Sequence, residues 1–107
     1  MKPIRVLQWG LGAMGSGMAR LVLEKPGLQM VAAVDYRPDY IGQDLGTVLK
    51  IDRKLGIMVT GNPDEVLDRE KVDVVVIATT SWVKDQMADL RRIITAGINC
   101  VSIAEEM

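Results

Sequence analysis

Short runs of β-branched and aliphatic residues alternate along the chain with stretches in which apolar residues recur every three or four positions. Ile4 to Trp9 is the first compact run and predicts a strand. Ala13 to Lys25 carries Met14, Met18, Leu21 and Val22 on one helical stripe, and Pro26-Gly27 stops it. Leu28 to Val34 predicts a second strand. Ile41 to Leu49 is ambiguous, with helical character in its later part, and Gly56 closes that region. Ile57-Met58-Val59 predicts a short third strand. Asn62 is positioned to cap a short helix that ends near Arg69, with Pro63 at its first position and Glu65 three residues after the cap. Val72 to Ala78 follows as a strand. Its core, Val74-Val75-Val76-Ile77, is apolar without alternation, as expected of a strand covered on both faces of a parallel sheet. Ser81 is placed to cap a helix with Val83, Met87, Leu90 and Ile94 on one face and Gly97 as its stop. Asn99 to Ile103 predicts the fifth strand.

Strands alternating with helices imply right-handed βαβ units. The expected fold is a Rossmann-type doubly wound α/β domain over residues 1–107, a parallel sheet in strand order 3-2-1-4-5. The sixth strand of that fold and a second, substrate-binding domain are expected to be absent from this chain. Its 107 residues suffice for one core. Thirteen basic against fourteen acidic residues give a net charge of -1, which argues against a nucleic-acid-binding domain. No apolar stretch approaches the ~20 residues of a membrane helix, and no export signal is evident, so a cytoplasmic location without membrane contact is expected. The single cysteine, Cys100, excludes an internal disulfide. The absence of histidine excludes imidazole chemistry and His-ligated metal. No catalytic residue and no metal ligand is assigned.

The chemistry lies after the first strand. Gly10-Leu11-Gly12-Ala13-Met14-Gly15 matches G-x-G-x-x-G between a predicted strand and a predicted helix, the context that makes this short pattern informative. Gly10 permits the tight turn, Gly12 lets a pyrophosphate approach the backbone, and Gly15 lets the helix pack closely. The helix start then offers free N–H groups to the phosphates. Asp35 ends the second strand twenty residues after Gly15, the distance at which an acid accepts from the adenosine ribose hydroxyls. Asp35 favours the free 2′-hydroxyl of NAD. Arg37 could pair with the 2′-phosphate of NADP, stack on the adenine or remain a solvated surface residue, and Tyr36 lies between the two. The expected cofactor is therefore NAD or NADP, with leaky selectivity. Thr79, Thr80 and Ser81 follow the fourth strand at the switch point of the sheet, where short hydroxyls can meet the cofactor. Ala104 and Glu105 follow the fifth strand at the same edge. Glu106 adjoins them, but neighbouring side chains point apart and make no ready acid–base pair.

Several segments resemble the 2,4-diaminopentanoate dehydrogenase family. These are Gln8-Trp9-Gly10-Leu11-Gly12-Ala13-Met14-Gly15-Ser16-Gly17, Val34-Asp35, Ile41-Gly42-Gln43-Asp44-Leu45-Gly46, Ile77-Ala78-Thr79-Thr80-Ser81 and Ser102-Ile103-Ala104-Glu105-Glu106-Met107. Dihydrodipicolinate reductase and meso-diaminopimelate dehydrogenase are similar in their nucleotide-binding halves. The resemblance implies an NAD(P)-linked oxidative deamination, with hydride leaving an amine-bearing carbon and the resulting imine hydrolysed to ketone and ammonia. It places the phosphate loop on Gly10 to Gly15, the ribose acid on Asp35 and further cofactor contacts on Thr79-Thr80 and Ala104-Glu105. It also implies that a diamino acid substrate needs a second domain. Other readings are a fragment like dihydrodipicolinate reductase and a dinucleotide-sensing module without chemistry. An uncovered fifth strand implies self-association into a homo-oligomer.

Overall fold

The computed structural model describes residues 3–68, 70–78, 91, 93 and 95–102. Five parallel strands form one sheet in the order β3-β2-β1-β4-β5. They are β1 (Ile4–Trp9), β2 (Leu28–Val34), β3 (Val59–Thr60), β4 (Val74–Ile77) and β5 (Asn99–Ser102). The 3-2-1-4-5 topology expected from the alternating pattern is therefore the observed one. The helix α1 (Ala13–Glu24) connects β1 to β2, and a single turn, α2 (Leu45–Val48), lies between β2 and β3. Residues 91, 93 and 95 are helical, and Gly97 ends that stretch with φ 78°. Its stop is a Schellman arrangement, with the Ile98 N–H donating back to the Ile93 carbonyl at 3.3 Å.

Two apolar layers sandwich the sheet. On one face Val6, Leu11, Ala19, Val22, Met30, Ala33, Leu45 and Val59 form a buried cluster with α1 and α2. On the other, Leu7, Trp9, Ala32, Val34, Val75, Ile77, Ile93 and Ile98 form the second. Strand β2 changes phase midway. Val6 pairs with Met30 but Leu7 pairs with Ala32, so Val31 is an extra residue in the ladder. Because side chains alternate with period two, one inserted residue flips everything beyond it. Ala33 thereby returns to the α1 face, and Asp35, two residues on, follows it.

The differences from the sequence expectations are local. The third strand is Val59–Thr60, because Met58 instead makes an antiparallel bridge with Asp44. The helix expected after Asn62 is one 3-10 turn, Pro63–Glu65. Asn62 caps it as expected, accepting from the Asp64 N–H at 3.1 Å, but Glu65 turns away to accept from the Thr60 hydroxyl at 2.9 Å. The β4 strand is shorter than Val72 to Ala78, and Ile103 lies outside the described residues. The opposite, N-terminal edge of the sheet is tied by Arg5 and Asp73. The Asp73 carboxylate accepts from the Arg5 backbone N–H at 2.8 Å, from Nε at 3.1 Å and from the guanidinium at 3.0 Å. These bonds hold the Asp73 carboxyl at a pKa of about 2. Among the described residues no helix is long and apolar enough to cross a membrane.

Candidate functional site

The C-terminal ends of β1 and β2 bring the predicted loop and the predicted acid together. Gly10 turns the chain with φ 102°, a conformation that favours glycine, and its N–H donates to the Val34 carbonyl at 2.8 Å. Gly15 sits where no side chain fits. A β-carbon there would lie 2.8 Å from the Gly10 carbonyl carbon, closer still to its oxygen, and 3.3 Å from the Ala78 carbonyl oxygen. The third glycine therefore lets α1 rest directly on the loop and on the end of β4. Gly12 differs from both. Its φ of -69° suits any residue, and a β-carbon would meet only the Arg37 guanidinium, at 3.4 Å. Neither the backbone angles nor the surrounding protein backbone therefore requires glycine at position 12.

The start of α1 has the electrostatics of an anion site. Gly12 stands at the N-cap and supplies no capping side chain, and the first turn carries no acidic residue. The orphan N–H groups of a helix start and the positive end of its dipole are thus not met by a capping or acidic side chain of that turn. Ala13 and Met14 form the first turn. The Ser16 hydroxyl donates to the Leu11 carbonyl at 2.8 Å and braces the loop from within.

Asp35 is buried, at 7% exposure, and both its oxygens are engaged. Oδ2 accepts from the Leu11 N–H at 2.7 Å, and Oδ1 accepts from the Arg37 N–H at 2.8 Å. The sequence points to Asp35 as an acceptor for ribose; the structure adds that it fastens the glycine loop to the end of β2. Each carboxylate oxygen keeps a second lone pair, so the two roles are compatible. Arg37 lies against Gly12. Its guanidinium is held from behind by Tyr40, with Cζ 5.4 Å from the ring centroid and an N–H donated to the hydroxyl at 3.3 Å. Tyr36 is half exposed and stands edge-on to Trp9, ring centroids 6.5 Å apart. Thr79, Thr80, Ser81, Ala104 and Glu105 lie outside the described residues.

Three contributors were not singled out by sequence. Tyr40, three residues after Arg37, orients the guanidinium. Gln8 is a wholly buried amide under the loop, and its signal is a polar residue inside the apolar run of β1. Asp44 is the N-cap of α2 and organises the chain around it. Its carboxylate accepts from the N–H groups of Gly46 at 2.8 Å, Leu55 at 2.9 Å and Gly56 at 2.8 Å. Those bonds, led by the one from Leu55, pull its pKa below the usual carboxylate value. A β-carbon on Gly46 would strike the Arg53 carbonyl, so Asp44-Leu45-Gly46 is a lock for the segment 44–57.

A doubly wound sheet with a glycine loop, a bare helix start and a buried acid at the next strand end defines the class: a dinucleotide-binding domain of the Rossmann kind. The sequence profile of the dihydrodipicolinate reductase N-terminus matches residues 4–102, and the chain belongs to that family. It is the NAD-binding N-terminal domain type found in dehydrogenases. It is 32% identical to 2,4-diaminopentanoate dehydrogenase of Acetoanaerobium sticklandii, over 100% of this chain and 30% of that protein. The structure is similar to that of an amine dehydrogenase from Mycobacterium smegmatis, with TM-score 0.85 and 39% identity over 92% of this chain and 29% of the other. It is also similar to GenD2 from gentamicin A biosynthesis, solved in complex with NAD, with TM-score 0.72 and 27% identity over 95% of this chain and 27% of the other. The chain thus spans under a third of the length of these relatives.

Proposed function

We propose that this chain is the cofactor-holding part of an NAD(P)-dependent enzyme that oxidises a primary amine, in the manner of 2,4-diaminopentanoate dehydrogenase. The observation that carries the reading is the bare start of α1, at Gly12, with Asp35 fastening its loop. The N–H groups at Gly12, Ala13 and Met14 would hold the pyrophosphate, and the remaining lone pairs of Asp35 would meet the adenosine ribose. Bound there, the nicotinamide supplies a hydride acceptor. The relatives' names support an amine as donor, and 2,4-diaminopentanoate is the specific substrate proposed.

Arg37 supports use of both dinucleotides. The buried, doubly bonded Asp35 carboxylate presents less free charge toward a 2′-phosphate than an exposed acid would, while the guanidinium stays at hand to pair with one. Calorimetric titration of the chain with NAD and NADP tests this. Both should bind, and Arg37→Ala should weaken NADP more than NAD. An unchanged ratio of affinities would reduce Arg37 to a stacking or surface residue. The substrate is tested in a chimera that carries this chain in place of the matching part of the Acetoanaerobium enzyme. Reduction of NAD dependent on 2,4-diaminopentanoate, with a cofactor KM characteristic of this chain, is the expected result. A chimera that binds cofactor but oxidises only other amines would remove the diamino acid.

A further inference from the structure

Gln8 is 0% exposed on the α1 face of β1, an unusual place for an uncharged amide. Its Nε2 donates to the Gly10 carbonyl at 3.1 Å, and its Oε1 has no hydrogen-bond partner among the described residues. The orientation is dictated by chemistry, since a carbonyl oxygen only accepts. The carbonyl of Gly10 and the N–H of Leu11 belong to one peptide unit. Gln8 holds the carbonyl end of that unit, and Asp35 Oδ2 holds the N–H end at 2.7 Å. The Gly10 carbonyl also occupies the space that a β-carbon on Gly15 would need. A peptide next to a glycine at φ 102° is free to rotate unless something fixes it. Here two buried side chains do so, one on β1 and one just past the end of β2.

We propose that Gln8 is a positioning residue for dinucleotide binding, which with Asp35 locks the Gly10–Leu11 peptide plane and so aims the N–H groups at the start of α1. The inference rests on the reading of this loop as the dinucleotide site. The orphaned Oε1 supports a role other than stability, because a buried acceptor without a partner disfavours the folded state. An apolar residue of similar length would remove that penalty and lose only the bond to Gly10.

The test is Gln8→Met, with Gln8→Leu beside it, followed by thermal melting and by calorimetric titration with NAD and with ADP-ribose. The melting temperature should equal or exceed that of the unaltered chain. Affinity should fall about tenfold, equivalent to about 1.4 kcal/mol, and equally for both ligands, because both carry the pyrophosphate. Unchanged affinity overturns the proposal. So does a joint fall of affinity and melting temperature in both variants, which would make Gln8 a stabilising residue only. A loss confined to NAD would place the effect at the nicotinamide and also overturn it. If the unaltered chain binds neither ligand, the dinucleotide reading itself fails and this inference with it.

Discussion

Replacing Gly15 by alanine sets the packing role of the loop against its binding role. The added methyl would stand 2.8 Å from the Gly10 carbonyl carbon and 3.3 Å from the Ala78 oxygen, where ordinary contact begins at 3.4 Å. Every atom it meets is backbone, so no rotamer change relieves the clash, and α1 must retreat from the loop by more than half an ångström. Overpacking costs about 1–3 kcal/mol, and a clash with unyielding backbone belongs in the upper part of that range, about 2–3 kcal/mol. Alanine recovers up to about 1 kcal/mol in helix propensity over glycine. The net loss of about 1–2 kcal/mol corresponds to a melting temperature lower by about 4–16 °C. Gly12→Ala is the control. Its backbone angles suit alanine, and the one neighbour within reach is the flexible Arg37 guanidinium. It should melt within a few degrees of the unaltered chain yet bind NAD at least tenfold more weakly. Melting followed by circular dichroism and titration by calorimetry measure both quantities. A Gly15→Ala chain that melts like the parent, or a Gly12→Ala chain that binds like it, would refute the division of labour among the glycines.

The Asp73 carboxyl, held at about 2 by Arg5, lies below its unfolded value of 3.8. The stability it adds is present above pH 3.8 and is lost as pH falls toward 2. Urea midpoints across that window should fall less steeply for Asp73→Asn, and an identical slope would contradict the assignment. Asp44→Ala strands the N–H groups of Gly46, Leu55 and Gly56 and should speed amide exchange across 44–57 while sparing β1 and β4; uniform acceleration would deny the lock. We also propose that strand β5 mediates self-association, since β4 is its one partner among the described residues and Val101 is 50% exposed. Sedimentation over a concentration series should show a dimer forming, and a strict monomer would count against it.

Much of this arrangement was legible before the structure. Strand order follows from the alternation of runs such as Val74–Ile77 with helical stripes, and handed connections leave few other topologies. Gly10 and Asp35 could be paired because each ends a strand, and adjacent parallel strands end together. The obscure features were those that depend on phase or on distant partners. Gln29 to Val34 is apolar beyond its first residue, so nothing in it shows that Val31 is the extra one. Glu65 has the spacing of a capping box, but its carboxylate accepts from the Thr60 hydroxyl, and the Asn62 N–H it would have met donates to that hydroxyl instead. Asp35 was visible as an acid at the right distance. Its burial and its bond to Leu11 depend on the bulge that turns it toward α1.

Binding of a dinucleotide across Gly10 to Gly15 and Asp35 is tested most directly by titrating the isotope-labelled chain with NAD and following its backbone amides by NMR. Saturable shifts should concentrate at Gly10, Gly12, Ala13, Met14 and residues 35 to 37, while Ile4 and Asp73, at the far edge of the sheet, stay still. Shifts centred elsewhere, or none at saturating NAD, would contradict the account.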